Sequence, residues 1–394
     1  MIIAPGGTEG FLAVDSAVNG RCYGGVRMSP DVSEEELRLL ARSMTLKFGF
    51  LGLPHGGAKA GIRWDPEGPE RERRRMIREF GRALAPLLRR GVYNPGPDMG
   101  TTNEDVRELL SAAGVRTRRP EPSRENSGYY TALSVFESAR AAGAFVGIEL
   151  RGAPVAVEGF GKVGSALALL LAEAGAKVVA ISTSGGALYN PRGFAVHRLV
   201  SAARTRGSRV VECQDHGTPL QRELLVELPV AYLFPCAHHH SIREGNAQRV
   251  KARIVCPGAN NPTTPGAGKI LHGRGILCVP DFVANAGGVL GGTMEFAGIP
   301  PGWIRKFIRE RYGRKVFDTL AAAYRRGIPP QEAAEEEAEA RVVRIARRAA
   351  RRSAGLRVFA SGLAAYRAGM LPRRLVGMLS ILYFSRLFPA MPRE

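Results

Sequence analysis

The stretch from residue 153 to residue 181 reads APVAVEGFGKVGSALALLLAEAGAKVVAI. Its apolar start at residues 153–157 predicts a strand, and a G-x-G-x-x-G loop, an apolar helix and a second strand at residues 177–181 follow. In this context the glycines are typical of a dinucleotide-binding turn, where the helix N-terminus receives a pyrophosphate. The stretch therefore predicts a Rossmann-type α/β domain. The predicted cofactor-binding loop consists of Gly159, Phe160, Gly161, Lys162, Val163 and Gly164.

Three more apolar segments come later, at residues 230–236, from residue 252 and from residue 275. They predict the later strands of an open parallel sheet, whose ligands bind beyond the carboxyl ends of the strands. Asn260 and Asn285 fall at those ends, and we predict that both contact the cofactor.

The second strand of the opening stretch ends at Ser182, Thr183 and Ser184, and we predict that Thr183 contacts the cofactor. A carboxylate at this place would bind the hydroxyls of the adenosine ribose and repel a 2′-phosphate. Because the sequence has no acidic residue here, both NAD and NADP remain open as cofactors.

The amino-terminal half holds a second informative stretch, residues 43–62, which reads SMTLKFGFLGLPHGGAKAGI. It contains Lys47 and Lys59, and the chain has only eight lysines among its 56 basic residues. Lysine, unlike arginine, can lose its proton when it is desolvated or lies near another cation, which is what a catalytic amine needs. Residues 93–102 predict a proline–glycine loop with Asp98 at its centre.

The composition is that of a globular protein with two domains: 394 residues, 45% hydrophobic and 23% charged. The formal charge of +20 is spread along the chain without aromatic-interleaved basic motifs, so we expect no nucleic-acid partner. Five cysteines without a C-x-x-C motif, and no signal peptide, predict a cytoplasmic protein. No apolar run is long enough for a transmembrane segment. Three successive histidines, His238 to His240, predict a polar loop, and we expect no metal site.

Six motifs occur in order: YGGVRM, MTLKFGFLGLPHGGAKAGI, GPDMGTTNEDV, GFGKVG, CPGANNPTTPGA and VPDFVANAGGV. Together they resemble the glutamate/leucine/phenylalanine/valine dehydrogenase superfamily, from about residue 10 to about residue 345. The resemblance implies an N-terminal α/β substrate domain, a Rossmann-type domain, and C-terminal helices that return to the first domain, with the active site in the cleft. The implied boundaries are 1–122 for the substrate and oligomerisation domain, 123–290 for the dinucleotide domain, 291–350 for the returning helices, and 351–394 for an Arg/Leu-rich tail outside the match.

The resemblance also implies an activity, the reversible NAD(P)-dependent oxidative deamination of an L-amino acid to a 2-oxo acid and ammonia. By position in the motifs, Lys59 matches the catalytic lysine, Asp98 the proton-shuttling aspartate, and Lys47 the lysine that holds the substrate α-carboxylate. Ser127 and Asn260 match residues near the nicotinamide. Lys162 stands where many members have asparagine beside the cofactor phosphates.

Two departures from the family pattern concern the substrate side chain. Glutamate-specific members resemble Y-K-G-G-x-R, with a lysine for the side-chain carboxylate, and this chain has Tyr23 there, before Gly24 and Gly25. Those members also carry a serine where this chain has Gly292. We count all four residues as substrate-binding positions. Since a buried carboxylate without its cation is costly, they predict a non-acidic substrate of the Leu, Val, Phe or Trp type.

Two alternatives stay open. The chain could be a glutamate dehydrogenase in which an arginine from elsewhere binds the side chain, or a catalytically silent cofactor-binding or interaction protein. The family implies a homo-oligomer. The tail, with an uncharged run at residues 375–385, could lie on a membrane, contact another subunit or pack on its own domain.

Overall fold

The computed structural model describes residues 2–3, 9–115, 127–212, 217–351, 365–366 and 370–388. Contacts divide the chain into two units, one of residues 1–120 and 336–376, the other of residues 121–335 and 377–394. Residues 116–126, Cys213 and much of the tail lie outside the described residues. The four other cysteines form no disulfide.

The first unit is built on a five-stranded mixed sheet in the order β1–β2–β4–β3–β5. Strand β4 runs parallel to β3 and antiparallel to β2, and β5 extends the sheet parallel to β3. The strands are β1 (Ile2–Ile3), β2 (Glu9–Val14), β3 (Cys22–Ser29), β4 (Gly56–Arg63) and β5 (Tyr93–Pro97). The helices are α1 (Glu34–Leu51), α2 (Glu70–Ala83), α3 (Ala85–Arg89) and α4 (Asn103–Ala112).

Helix α1 begins at a Ser33 cap, whose side chain accepts a hydrogen bond from the Glu36 amide at 3.2 Å. The helix packs against the central strand β4, all of whose residues except Arg63 are buried. Gly57 makes the close approach feasible, because a Cβ there would collide with the backbone and hydroxyl of Thr45. The lysine-bearing helix and the lysine-bearing strand are thus locked together.

Strand β5 corrects the expectation of a loop at residues 93–102. Residues Tyr93–Pro97 pair in parallel with β3, and the turn begins only at Asp98. A strand with Pro95 and Pro97 is tolerated because β5 lies at the edge of the sheet, where one side of the strand needs no ladder hydrogen bonds. The strand delivers Asp98 to the carboxyl end of β5, beside β3.

The second unit confirms the predicted Rossmann-type domain. Its sheet has the order β12–β11–β10–β6–β7–β8–β9, and the first five of these strands are parallel. The sequence predicts an open parallel sheet, but strands β8 and β9 are antiparallel to their neighbours. The strands are β6 (Pro154–Glu158), β7 (Lys177–Thr183), β8 (Gly186–Tyr189), β9 (Thr218–Leu220), β10 (Tyr232–Pro235), β11 (Ile254–Val255) and β12 (Leu277–Cys278).

Eight α-helices and two short 3-10 helices flank this sheet among the described residues. They are α5 (Ser127–Val146), α6 (Lys162–Glu173), α7 (Val196–Arg206), α8 (Glu244–Ala247), α9 (Pro265–Gly273), α10 (Asp281–Ala284), α11 (Gly287–Phe296) and α12 (Pro301–Arg326), with the 3-10 helices at Gly207–Glu212 and Arg222–Glu227. The chain reverses direction across the sheet between β6 and β10, which lie side by side. This is the switch point at which nucleotides bind in such sheets.

The resemblance implies that residues 291–350 pack back on the first domain, but residues 291–335 belong to the second unit. Helices α11 and α12 belong to the second unit and pack on α5. The cause is a run of small residues: a Cβ at Gly287 or Gly291 would collide with Tyr130 of α5, so the helix axes come close. The Tyr312 hydroxyl also donates to the Val283 carbonyl at 2.6 Å.

The described chain ends with helices α13 (Pro330–Arg351) and α14 (Arg373–Leu387). From residue 336 onward α13 belongs to the first unit, where the backbone of Ala338 lies against Gly49 of α1. Arg341 donates to the Phe50 carbonyl at 2.9 Å, and Arg42 forms an ion pair with Glu339. Within the described ranges, no helix has both the length and the apolar character needed to cross a bilayer.

Candidate functional site

The first unit brings Lys59 and Asp98 into direct contact, as a catalytic pair requires. Lys59 lies in the middle of β4 and is 4% exposed, and its Nζ is 2.9 Å from Asp98 Oδ2. Asp98 follows the edge strand β5, and its backbone amide donates to the Thr101 hydroxyl at 3.0 Å. The Thr101 hydroxyl in turn donates to the Val26 carbonyl, which ties the turn to β3.

Arg27 completes this ion-pair cluster from β3, the strand between β4 and β5. Its Nε donates to Asp98 Oδ2 at 3.0 Å, and its Nη1 donates to Glu36 of α1. Burial by itself raises the pKa of the Asp98 carboxyl, but the charges and hydrogen bonds of Lys59 and Arg27 outweigh it and lower the pKa to about 2. Asp98 is therefore ionised at neutral pH and accepts protons or hydrogen bonds.

Lys47 lies on the helix that packs against β4, and its side chain is only 6% exposed. The first unit thus buries both lysines of the 43–62 stretch in the two elements that Gly57 allows to pack closely. A buried ammonium requires an anionic or hydrogen-bonding partner, which is the property of a carboxylate-binding position.

Tyr23 of β3 belongs to an aromatic cluster with Phe48 and His55. Its ring centroid lies 4.2 Å from that of His55 and 6.3 Å from that of Phe48. The His55 Nδ1 donates to the Pro54 carbonyl at 2.9 Å, which fixes the ring. The place at which the resemblance implies a carboxylate-binding lysine in glutamate-specific members is therefore occupied by an aromatic cluster.

Gly24 and Gly25 are explained by backbone packing. A Cβ at Gly24 would collide with the Ala58 carbonyl oxygen, and a Cβ at Gly25 would lie 2.8 Å from the Asp98 Cβ. The two glycines let β3 come close to the residue before Lys59 and to Asp98. Their contact with substrate remains a prediction.

The glycine loop of the second unit has the geometry of a phosphate cradle. Gly159 has φ +91°, and a Cβ there would lie 2.7 Å from Ala237, so the position requires glycine. A Cβ at Gly161 would meet nothing within 4 Å, so this side of the loop is open to a ligand. Gly164 packs against the Gly159 carbonyl, and exposed Lys162 begins α6. These features fit a dinucleotide, with the α6 N-terminus available for its pyrophosphate.

The loop is held by the end of β7. Ser182 Oγ accepts from the Gly159 amide at 3.0 Å, and the Ser182 carbonyl accepts from the Phe160 amide at 2.6 Å. Phe160 is buried, and Val163 lies 3.0 Å from the position that a Cβ on Gly258 would take. Both apolar residues therefore support the loop from behind.

Thr183 uses its hydroxyl within the protein. The hydroxyl donates to the Ser208 carbonyl at 2.6 Å and accepts from the Gly185 amide at 3.1 Å. Thr183 thereby shapes the turn after β7, where a ribose would lie, and its direct contact with cofactor remains a prediction.

Asn285 is buried, at 3% exposed, and braces the neighbouring loop. Its Nδ2 donates to the Ala259 carbonyl at 2.8 Å and to the Asn260 Oδ1 at 3.2 Å, while its own Oδ1 is buried without a hydrogen bond. Asp281 accepts from the Asn261 amide at 2.8 Å. The structure thus brings Asn260 and Asn285 together.

The five remaining residues lie on helices or in a turn. Ser127 is the first residue of α5, and Gly292 is an exposed residue of α11 with open space at its Cβ position. His238 to His240 are exposed in the turn after β10. Within the described part of the chain, no group of three His, Cys, Asp or Glu side chains could hold a metal ion.

Sequence reasoning missed four polar residues: Arg27, Thr101, Glu158 and Asp281. Arg27 and Thr101 stand inside motifs that carried the family resemblance, so their position was visible but their contacts were not. Glu158 ends β6 just before the glycine loop, is 6% exposed, and has an Oε2 without a hydrogen-bond partner. Burial raises the pKa of its carboxyl to about 7, partly offset by Ser241 and Arg222. A carboxylate at the end of an apolar strand was the signal.

A Rossmann-type unit with an open glycine loop, together with a unit that holds a buried lysine–aspartate pair, defines a nucleotide-dependent dehydrogenase. Family models agree: the model described as Glutamate/Leucine/Phenylalanine/Valine dehydrogenase matches residues 125–348, and that of the Glu/Leu/Phe/Val dehydrogenase dimerisation domain matches residues 6–113. The chain belongs to this family. It is an amino-acid dehydrogenase, an oxidoreductase that acts on the CH–NH2 group with a nicotinamide cofactor.

Individual relatives also point to an amino-acid dehydrogenase. A glutamate dehydrogenase of Thermotoga maritima is 40% identical over 296 residues, covering 71% of this chain and 70% of the relative. An NAD-specific glutamate dehydrogenase of Staphylococcus aureus is 34% identical over 331 residues, covering 79% and 78%. Among solved structures, the hetero-hexameric glutamate dehydrogenase of Thermus thermophilus in its Leu-bound form superimposes with a TM-score of 0.76 at 29% identity, covering 88% of this chain and 86% of that one.

Proposed function

We propose that this enzyme deaminates L-amino acids with a non-acidic side chain, of the Leu, Val, Phe or Trp type. The observation that carries the proposal is the contact of Tyr23 with His55, 4.2 Å between ring centroids, where glutamate-specific relatives are expected to hold a carboxylate with lysine. Tyr23 offers apolar contact and, unlike the lysine it replaces, no positive charge that could pair with a side-chain carboxylate. Gly292, in place of a serine, removes a second polar contact.

In this proposal Lys59 and Asp98 are the catalytic residues and Lys47 binds the α-carboxylate. The nicotinamide supplies the hydride acceptor for the substrate Cα. Asp98, ionised beside its two cations, takes a proton from the substrate amine and returns one to departing ammonia. Lys59 as ammonium stabilises negative charge on the oxygen that adds to Cα, and as free amine it takes a proton from the attacking water.

Cofactor binding is assigned to the glycine loop from Gly159 to Gly164, supported by Ser127, Thr183, Asn260 and Asn285. We propose that the enzyme accepts NADP as well as NAD, because the end of β7 carries Ser182, Thr183 and Ser184 and no carboxylate that would repel a 2′-phosphate. The NAD-specific Staphylococcus aureus relative favours NAD. The ratio of kcat/KM with NADP+ to kcat/KM with NAD+ measures the cofactor preference.

The second candidate function is glutamate deamination, favoured by the names of the Thermotoga maritima and Staphylococcus aureus relatives. It requires a cation other than a residue at position 23 to bind the side-chain carboxylate. We further propose that the enzyme assembles as an oligomer, supported by the hetero-hexameric Thermus thermophilus structure. The ion-paired Lys59 and Asp98 argue against a catalytically silent protein.

The test is reduction of NAD+ and NADP+ at alkaline pH with each of the twenty L-amino acids, by the wild type and by Lys59→Ala, Tyr23→Lys and Tyr23→Phe. We expect turnover of an apolar amino acid and loss of that turnover in Lys59→Ala. Tyr23→Lys should raise kcat/KM for glutamate relative to the apolar substrate by about tenfold or more, whereas Tyr23→Phe should keep the wild-type preference. Efficient glutamate turnover by the wild type would refute the proposed specificity.

A further inference from the structure

Helix α14 presents an apolar face to solvent in the described structure. Leu375, Met378, Leu379 and Leu382 are 50%, 68%, 62% and 62% exposed. Their spacing of three and four residues puts them on one side of the helix, and they form a continuous stripe. Scattered exposed apolar residues are ordinary, but a contiguous stripe marks a contact surface.

The opposite side of α14 is anchored in the second unit. Phe384 and Phe388 are 2% and 1% exposed. The Phe388 ring lies 5.5 Å from the Phe307 ring and 4.3 Å from Lys315 Nζ, and Arg311 donates to the Phe388 carbonyl at 2.6 Å. Because the face with Phe384 and Phe388 packs on α12, the apolar stripe on the other face of α14 is available to a binding partner.

The charged residues of α14 are all arginines. Residues 351–394 contain eight arginines and a single acidic residue, Glu394. Arg374 and Arg386 are exposed on α14, and Arg386 lies one turn beyond Leu382 on the same face. Two copies of such a face would bring like charges together, whereas an anionic surface would be complementary.

We propose that α14 is a docking surface for an anionic lipid membrane, on which it lies flat. The apolar stripe would enter the boundary between headgroups and acyl chains, and the arginines would pair with lipid phosphates. At 15 residues the helix is too short to span a bilayer, which takes about 20. The proposed membrane contact does not depend on which substrate the enzyme deaminates.

The test is flotation of the full-length protein with vesicles of phosphatidylglycerol and phosphatidylcholine, compared with vesicles of phosphatidylcholine alone. We expect binding to the anionic vesicles only, weakened at about 0.5 M salt. Leu379→Glu should lower the vesicle-bound fraction about tenfold, because it replaces a leucine that would insert into the membrane with a charge that the anionic lipids repel. Leu382→Glu should do the same.

The matched control is Tyr324→Glu, which makes the same charge change at a side chain 77% exposed on α12 and should leave binding intact. Unchanged thermal midpoints and deamination rates in all variants show that they fold. Failure of the wild type to float, or equal loss in Leu379→Glu and Tyr324→Glu, would overturn the proposal. So would a smaller particle mass for Leu379→Glu without any vesicle binding by the wild type, which would assign the face to a second copy of the chain.

Discussion

Arg27 and Lys59 donate to the same carboxylate oxygen, with Arg27 Nε at 3.0 Å and Lys59 Nζ at 2.9 Å from Asp98 Oδ2. The two cations stand on adjacent parallel strands, β3 and β4, so the position of Asp98 depends on the spacing of those strands. Glu36 holds the other end of the Arg27 guanidinium. Arg27 is therefore a positioning residue that acts through Asp98.

Replacing Arg27 by glutamine should raise the pKa of Asp98, because one of its two charge partners is lost while burial remains. The acid limb of the pH profile of kcat/KM should move to higher pH, and kcat should fall about tenfold or more. Arg38→Gln is the control, since Arg38 makes an exposed pair with Glu34 within one helix. A profile with an unshifted acid limb and a uniform loss of activity would reduce Arg27 to a structural role.

Asp98→Asn should lower kcat by about two to four orders of magnitude, because the proton acceptor is lost. It should also change stability. With a native pKa of about 2 against 3.8 unfolded, Asp98 stabilises the fold above pH 4, by about 2 kcal/mol, and this contribution disappears as pH falls toward 2. Urea unfolding at pH 6 and at pH 2.5 measures it. If wild type and variant lose stability in parallel on acidification, the ion-pair account of Asp98 is wrong.

Glu158 should make stability depend on pH in the direction opposite to Asp98. Its carboxyl pKa is about 7 in the fold and 4.5 in the unfolded chain, so the folded protein holds more protons between these values and its stability falls as pH rises from about 4.5 to about 7. The full effect is about 3 kcal/mol. Glu158→Gln should remove this slope, so the free energy of unfolding of the variant relative to that of the wild type should be higher at pH 8 than at pH 5. Urea unfolding of wild type and variant across this range shows it.

Glu223→Gln is the matched control for Glu158, because Glu223 is a solvent-exposed acid of the 3-10 helix that contains Arg222. We expect this variant to keep the wild-type slope between pH 5 and pH 8. Identical slopes for wild type and Glu158→Gln would mean that Glu158 is ionised in the fold throughout this range.

Gly24→Ala should destabilise the first unit by about 3 kcal/mol or more. The added methyl group would collide with the Ala58 backbone of β4, which cannot move aside as a flexible side chain could. Gly292→Ala introduces the same methyl group into open space on a helix, where it should stabilise by about 0.5 to 1 kcal/mol. Thermal or urea unfolding of the two variants gives the comparison. Equal effects would show that β3 and β4 can separate freely at Gly24.

Local sequence signals predicted the local structure well. The glycine loop between β6 and α6 depends on residues a few positions apart, and it is present between the predicted strand and helix. The sequence did not show that residues 93–97 form a strand, because prolines there are compatible with a strand only at a sheet edge, and edge position is a tertiary property.

Long-range contacts account for the other differences. Arg27 and Asp98 are 71 residues apart, so no pattern could show that the arginine meets the aspartate. The packing of α11 and α12 on α5 follows from glycines that face Tyr130, a partner about 160 residues away in sequence. The sequence showed which small residues were available but not which helix they would meet.

The Gly49–Ala338 contact has a consequence for biosynthesis. The first unit takes its sheet and four helices from residues 1–120, but Arg341 of the helix that lies against Gly49 and Phe50 is synthesised 291 residues after Phe50. Residues 121–335 of the second unit are therefore synthesised before the first unit is complete. Until then, the surface of α1 at Gly49 and Phe50 lacks its contact with α13 and is open to chaperones in the nascent chain.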